Sequence, residues 1–219
     1  LKALLRSVEK TYNCVSVDGD TSTNDTLTIL ANGMAGNAEI AAEGADFDTF
    51  CTALDTLNTE MAKKIAGDGE GATHLIECTV SGAKDINTAR VLAKSVISSS
   101  LTKAAVFGRD ANWGRILCAL GYSGAEFTPE KTCISIGSIA GAKRHGFTDV
   151  IGKPSGTMRS VKVFENGAPL NFDEDLAKEI LGEDEVYILV ALSDGNASGT
   201  AWGCDLTYDY VKINGDYRT

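Results

Sequence analysis

A single carboxylate, Glu70, stands between two glycines in the segment Gly69-Glu70-Gly71. Glycine on both sides lets the backbone approach a ligand closely, so Glu70 is a candidate binding residue. The alternative, a solvated glutamate in a tight loop between a helix and a strand, stays open. Gly67, Gly69 and Gly71 do not form a dinucleotide fingerprint, because they follow a helix pattern and precede a strand pattern, the reverse of the required order.

A polar loop at residues 18–25 begins like a calcium-binding loop, with Asp18 and Asp20 two positions apart. Thr23 and Ile29 then occupy the positions that require Gly and Glu, so the calcium interpretation fails. The side chains of this loop are predicted to bond their own backbone and brace a turn. Direct contact with a functional site is the alternative.

No catalytic nucleophile can be recognised within the chain. His74 and His145 have no serine or cysteine partner that spacing identifies, and no G-x-S-x-G elbow occurs. Residues 137–143 do not form a P-loop, because only three residues separate Gly137 from Gly141 where the motif requires four. The six cysteines contain no C-x-x-C pair, which excludes zinc-ribbon and thioredoxin motifs and predicts buried free thiols in a reducing, cytoplasmic compartment and no metal site.

The charge balance of 20 Lys and Arg against 30 Asp and Glu gives −10, which disfavours nucleic acid as a partner. No run of 18 apolar residues or signal peptide is present, so no membrane role is expected. The first residues, Leu1, Leu4, Leu5 and Val8, already follow helix periodicity, without a capping residue before them. We therefore expect further residues to precede Leu1.

Helix and strand patterns alternate along the chain and predict a mixed α/β fold. Phe50, Leu54, Leu57, Met61 and Ile65 form an apolar stripe that predicts a helix over residues 46–66. The other predicted helices cover residues 86–98, 112–120, 173–181 and 205–213. The predicted strands cover residues 14–17, 74–81, 103–107, 133–136, 160–164 and 186–193, with a hairpin turn at 165–167. If the chain contains two domains, the pattern places the boundary between them at residues 82–85, which divides the chain into 1–84 and 85–219.

Four long stretches together resemble one family. They are residues 17–26 (VDGDTSTNDT), 69–73 (GEGAT), 105–115 (AVFGRDANWGR) and 202–219 (WGCDLTYDYVKINGDYRT). In this order, and over the whole chain, they resemble the β chain of the ornithine acetyltransferase of arginine biosynthesis, the bifunctional glutamate N-acetyltransferase.

This resemblance implies a specific reaction. Members of the family are made as one precursor that cleaves itself before a threonine, and that N-terminal threonine carries the acetyl group from N-acetylornithine to glutamate by a ping-pong mechanism. Its own α-amine is the expected general base. The nucleophile would lie about fifteen residues before Leu1, so no catalytic residue is expected within the chain, and the oxyanion-hole donors and a lysine would belong to the α chain.

Three residues match the family's substrate-binding positions: Glu70, Asn214 and the terminal Thr219. The resemblance implies that Glu70 holds the α-amino group of ornithine or glutamate, and that Asn214 and Thr219 hydrogen-bond polar ends of the substrate. A helix C-cap is a further interpretation of Asn214. His74 stands where the family often has lysine.

The resemblance also implies an architecture and partners. We expect an αββα sandwich of the N-terminal-nucleophile type, to which residues 1–84 contribute and which a separate α chain completes, with residues 85–219 as a smaller α/β domain whose tail returns to the active site. The expected assembly is a heterotetramer of two α and two β chains, without a cofactor; whether acetyl-CoA is a co-substrate stays open. Glutamate is an anion, so neutralising the α-chain lysine should raise the KM for glutamate.

Two other functions remain in view. A related aminopeptidase would pass the acyl group to water, and an assay of N-acetylornithine with and without glutamate separates the two reactions. Alternatively, the chain by itself could be an inert structural partner that docks an α chain.

Overall fold

The computed structural model describes residues 1–142 and 156–217. Its strands are β1 (Val15–Ser16), β2 (Leu75–Ala83), β3 (Cys133–Ile139), β4 (Met158–Glu165), β5 (Ala168–Pro169), β6 (Glu185–Ala191) and β7 (Ala197–Cys204). Its α-helices are α1 (Lys2–Val8), α2 (Ala45–Gly67), α3 (Ile86–Ser98), α4 (Ser100–Phe107), α5 (Trp113–Gly121), α6 (Glu174–Ile180) and α7 (Tyr208–Asp216). Short 3-10 turns lie at Tyr12–Cys14 and Pro129–Lys131.

All seven strands of the described residues pair in one sheet, in the order β1-β7-β2-β6-β3-β4-β5. The β1–β7 and β2–β6 pairs are parallel and the other pairs are antiparallel. The mixed α/β fold predicted from the sequence is confirmed. The predicted boundary at residue 84 falls at the end of β2, and strands from both sides of it pair within this sheet; the two-domain division itself stays a prediction.

The main hydrophobic core lies between the sheet and the helices that follow β2. Helix α3 packs on β7 and β2, and its Leu92, Val96 and Ile97 belong to one buried cluster with Ile76 and Val80 of β2. Helix α3 has the predicted bounds, and Asp85 caps its N-terminus because its carboxylate accepts a hydrogen bond from the Thr88 amide. This core buries the middle of the sheet, and the ends of its strands carry the candidate site.

Several elements differ from the sequence prediction. The helix predicted over residues 205–213 begins only at Tyr208, because Thr207 caps it, and the short strand β5 was not predicted. The pattern of residues 103–107 predicts a strand, but they belong to helix α4, since the Ser99 hydroxyl accepts a hydrogen bond from the Thr102 amide and caps a new helical turn. Strand β7 is absent from the predicted elements. Its Ala, Ser and Gly residues give a weak strand pattern, and the strand is held by pairing with β2 and β1 on either side.

The helices α1 and α2 form where expected but do not bury the predicted faces. In α1 the buried residues are Ala3 and Ser7, while Leu1 and Leu5 are exposed. In α2 only Leu54 of the predicted stripe is buried, because the face toward the protein carries small residues such as Cys51, Ala62 and Ala66. The remaining four residues of the stripe are 43–48% exposed: Phe50, Leu57, Met61 and Ile65.

Residues 18–44 form a long exposed connection between β1 and α2. Its first part is braced as predicted, since Asp18 accepts from the Asp20 amide and Ser22 accepts from the amides of Asn24 and Asp25. Among the described residues, none of the helices combines the length and the apolar character that crossing a membrane requires.

Candidate functional site

Glu70 and Asn214 are 144 residues apart in sequence and meet in the structure. The Asn214 Nδ2 donates to Glu70 Oε2 at 2.7 Å and also to the Tyr210 carbonyl at 3.0 Å. Both side chains are exposed. The sequence therefore singled out two residues that the fold brings together, while the third, Thr219, lies outside the described residues.

Asn214 is not the helix C-cap that the sequence suggested. It lies inside α7, whose C-terminal cap is Tyr217. From that interior position the side chain of Asn214 reaches back toward the preceding turn and across to Glu70. Its amide therefore orients one oxygen of the Glu70 carboxylate.

The two glycines beside Glu70 face the protein itself. A Cβ on Gly69 would lie 2.6 Å from Cys204 Sγ, at the end of β7. Gly71 has φ +67°, and a Cβ there would lie 2.8 Å from the Tyr210 amide nitrogen. The glycines thus allow the Glu70 loop to fit between the end of β7 and the start of α7.

Helix α7 forms the other wall of the site and has no buried residue. Thr207 caps it, accepting a hydrogen bond from the Tyr210 amide, and its hydroxyl donates to the Gly71 carbonyl at 2.7 Å. The Tyr208 ring packs edge-on against Phe107 of α4, with ring centroids 5.5 Å apart. These contacts hold α7 against the Glu70 loop.

Tyr210, which was not predicted for the site, and Asp18, whose loop was given site contact as its alternative role, also lie there. The Tyr210 hydroxyl donates to Asp18 Oδ2 at 3.1 Å, which brings the start of the exposed 18–44 connection to α7. Burial and then the hydrogen bond to Asp18 raise the pKa of Tyr210, and the charges of Asp20 and Glu70 act in the same direction. The open side of the site is therefore acidic, which suits an ammonium group.

Behind this acidic surface lies a fully buried carboxylate, Asp205. Its Oδ1 accepts from the amides of Thr73 and His74 at 2.7 and 2.8 Å. Its Oδ2 accepts from the Thr73 hydroxyl at 2.5 Å and lies 2.9 Å from His74 Nδ1. Burial alone raises the pKa of Asp205, but the hydrogen bonds from His74 and Thr73 outweigh it, so the pKa lies below its usual value.

A buried lysine, Lys103, binds the residue that precedes Asp205 in the chain. Lys103 of α4 donates through Nζ to the carbonyl oxygens of Val17 and Cys204, where β1 and β7 end side by side. It also lies 3.6 Å from the Cys204 thiol, whose pKa burial raises. Lys103 therefore fixes the strand ends beneath the Glu70 loop, and Cys204 remains a thiol rather than a reactive thiolate.

Sequence reasoning missed Asp205 and Tyr210 as members of this site, whereas contact of the loop that begins at Asp18 with a functional site was the alternative interpretation of that loop. The pattern places Asp205 in a predicted helix and Tyr210 on that helix's apolar face. One available signal was the position of Asp205, a charged residue directly after the apolar pair Trp202 and Cys204. Charged residues in such surroundings are paired when they are buried.

Comparison with known proteins gives one consistent result. The ArgJ family model matches residues 1–219. The arginine biosynthesis bifunctional protein ArgJ 1 of Clostridium acetobutylicum is 53% identical over 218 residues, covering 100% of this chain and 49% of that protein. The corresponding ArgJ of Caldanaerobacter subterraneus is 50% identical over 218 residues, covering 100% of this chain and 50% of that protein.

A solved structure agrees with these relatives. The crystal structure of the arginine biosynthesis bifunctional protein ArgJ from Bacillus halodurans superposes with a TM-score of 0.84 at 41% identity, covering 99% of this chain and 92% of that chain. This chain spans about half the length of the curated relatives it matches. By sequence and by fold, the chain belongs to the ArgJ family.

Proposed function

We propose that this chain is the β chain of a cytoplasmic acetyltransferase that moves the acetyl group of N-acetylornithine to glutamate in arginine biosynthesis. The observation that carries the proposal is the Glu70–Asn214 pair, with Nδ2 and Oε2 2.7 Å apart on an acidic, exposed surface. A carboxylate oriented by a neutral amide keeps its negative charge and a remaining oxygen for a ligand. An α-ammonium group of ornithine or glutamate fits this arrangement in charge and in geometry.

The chemistry of the acetyl group is assigned to residues outside this chain. A threonine preceding Leu1, activated by its own α-amine, would carry the acetyl group between two half-reactions. Cys118 is exposed and Cys133 half-buried, unlike the buried thiols that the sequence predicted. Burial raises the pKa of the Cys14, Cys78 and Cys204 thiols, which argues against these three residues as nucleophiles. This chain's residues would therefore bind and orient the amino acid.

The proposed assembly follows from the same family. An α chain would complete an αββα sandwich and supply the oxyanion-hole donors and a lysine, in a heterotetramer of two α and two β chains. This chain spans about half the length of these relatives. The lysine would offset the acidic surface when the anionic side chain of glutamate binds. Acetyl-CoA as a co-substrate remains an open part of the proposal.

The test is Glu70→Gln in the complete enzyme, assembled with its α chain. Losing a charged hydrogen bond to the α-ammonium group should raise the KM for glutamate roughly tenfold or more, with a smaller change in kcat. Glu126→Gln is the matched control, because Glu126 is an exposed glutamate whose ion pair with Lys84 lies at the other end of β2. Equal KM values for the two variants would contradict the assigned role of Glu70.

A second assay distinguishes transfer from hydrolysis. N-acetylornithine is supplied with and without glutamate, and ornithine and N-acetylglutamate are measured together. We expect the two products to appear in equal amounts and to depend on glutamate. Release of ornithine and acetate at the same rate without glutamate would favour an aminopeptidase-type reaction instead.

A further inference from the structure

Two walls of the Glu70 site come from distant parts of the chain. One buried carboxylate, Asp205, is hydrogen-bonded to the first wall and precedes the second by a short link. The first wall is the loop of Glu70, which continues through Ala72 into Thr73 and His74 at the start of β2. The second wall is α7, which begins three residues after Asp205. Asp205 is bonded directly to Thr73 and His74 and is joined to α7 through the short link that contains Thr207.

The geometry points to Asp205 as the positioning residue that sets the separation of Glu70 and Asn214. This inference rests on the proposed role of Glu70 and goes beyond it, because it concerns a residue that does not touch the substrate. Asp205 acts through the chain segments on either side of the site.

The hydrogen bonds of Asp205 explain how it can do this. One oxygen receives two consecutive backbone amides, which fixes the direction in which the chain leaves the Glu70 loop. The other oxygen receives the Thr73 hydroxyl and faces His74 Nδ1, so the side chains of both residues are fixed as well. A carboxylate whose side chain is completely buried and fully bonded has little freedom to move.

The Thr207 hydroxyl closes the connection between the two walls. It donates to the Gly71 carbonyl at 2.7 Å, one residue after Glu70, and accepts from the Tyr210 amide, one turn before Asn214. Asp205 and Thr207 thus form a continuous path from the Glu70 loop to α7. A displacement of either wall by about an ångström would separate Glu70 from Asn214 and is large enough to weaken ligand orientation.

The test is a double-mutant cycle of Asp205→Asn and Glu70→Gln in the complete enzyme. In Asp205→Asn the side-chain Nδ2 would face the Thr73 hydroxyl, which donates to Asp205 Oδ2 in the wild type. A donor cannot accept that hydrogen bond, so the loop should shift. Asp205→Asn alone should raise the KM for glutamate about tenfold with kcat changed less than threefold, and this effect should largely disappear in the Glu70→Gln background. If the fold-increases in KM of the two single variants simply multiply in the double variant, the inference is overturned.

Hydrogen exchange provides a readout that does not depend on activity. Asp205→Asn should accelerate exchange in peptides covering residues 69–76 and 208–216 together, whereas unchanged exchange in either peptide would overturn the inference. If Glu70→Gln leaves the KM for glutamate unaltered, the proposed role of Glu70 fails, and the exchange result still decides whether Asp205 holds the two walls.

Two further variants complete the experiment: one is a matched control, and the other replaces Asp205→Asn if that variant does not fold. Asp194→Asn is the matched control, because Asp194 accepts from the Thr128 amide and hydroxyl in the same way at the opposite end of the sheet. It should leave the KM for glutamate within about twofold of the wild-type value, since it lies far from both walls. If Asp205→Asn does not fold, Thr207→Val replaces it, since it removes only the bond to Gly71 and the helix cap; a KM unchanged by Thr207→Val would overturn the inference.

Discussion

At the residue scale, one feature of the site is a buried carboxylate whose two oxygens both have hydrogen-bond partners. Asp205 accepts hydrogen bonds from two amides and a hydroxyl and lies against His74. Burying a carboxylate without such partners would be costly, so the arrangement is stable only while all of them are present. The residue is therefore both a structural requirement and a source of acid sensitivity.

We expect the stabilisation by Asp205 to be lost in acid. Its pKa in the folded state lies below its usual value, which is about 3.9 in an unfolded chain. The stabilisation is therefore complete above about pH 4 and disappears as the pH falls through the lower folded-state value.

Chemical denaturation of the wild type and Asp205→Asn at several pH values measures this dependence. The difference in unfolding free energy between the two should be constant from about pH 5 to 7 and should shrink below about pH 4. A difference that grows as the pH falls would contradict the assignment.

At the element scale, β7 shows why small residues occupy a strand that lies between two neighbours and under a helix. A Cβ on Gly199 would lie 2.9 Å from the Arg90 amide nitrogen and 3.0 Å from the Ala89 Cβ, and both of these residues belong to α3. A Cβ on Gly203 would lie 2.8 Å from the Ser16 carbonyl oxygen and 3.2 Å from the Ile97 Cβ. The absence of side chains at these positions lets α3 and β1 approach the strand closely.

Gly199→Ala should therefore destabilise the fold by about 1–3 kcal/mol, because the added methyl group forces α3 away from β7. Gly121→Ala is the control: nothing lies within 4 Å of a Cβ at that position, at the end of α5, so we expect little change there. Thermal and urea unfolding of both variants measures the difference. Equal stability of the two would show that α3 can shift without cost.

At the scale of the whole molecule, α2 has apolar residues on two faces. Its small residues pack on the protein, while the α2 stripe, which we define as Phe50, Leu57, Met61 and Ile65, remains 43–48% exposed. Exposed apolar residues in a contiguous row are typical of an interface. Because the chain spans about half the length of its relatives, we expect the proposed α chain to cover this stripe.

Leu57→Lys and Ile65→Lys test this expectation. Each should weaken association with the α chain by about tenfold or more, because a charge replaces an apolar side chain that the interface would bury. Thr56→Lys, a neighbouring exposed position on a different side of the helix, should have little effect. Sedimentation velocity of the mixed chains measures association, and equal association of all three variants would place the interface elsewhere.

Local patterns of the sequence were sufficient for most elements and for the candidate residues. The helix pattern of residues 86–98 predicted α3 with its observed bounds, Ile86–Ser98. Asn166 and Gly167 predicted the hairpin turn, where both have positive φ. Glu70 and Asn214 were singled out by their resemblance to family motifs. Caps, turns and periodic faces depend on neighbours within a few residues, so a sequence specifies them directly.

Only the tertiary structure decided which residues meet and which faces are buried. The 2.7 Å contact between Glu70 and Asn214, the bonds of Asp205 and the pairing of β7 with β2 all join segments that lie far apart in the chain. The strand β7 has no local preference strong enough to predict it, and the large side chains of the α2 stripe lie on the solvent side because smaller ones fit the sheet better. Such outcomes depend on the shapes of distant surfaces, which local periodicity does not contain.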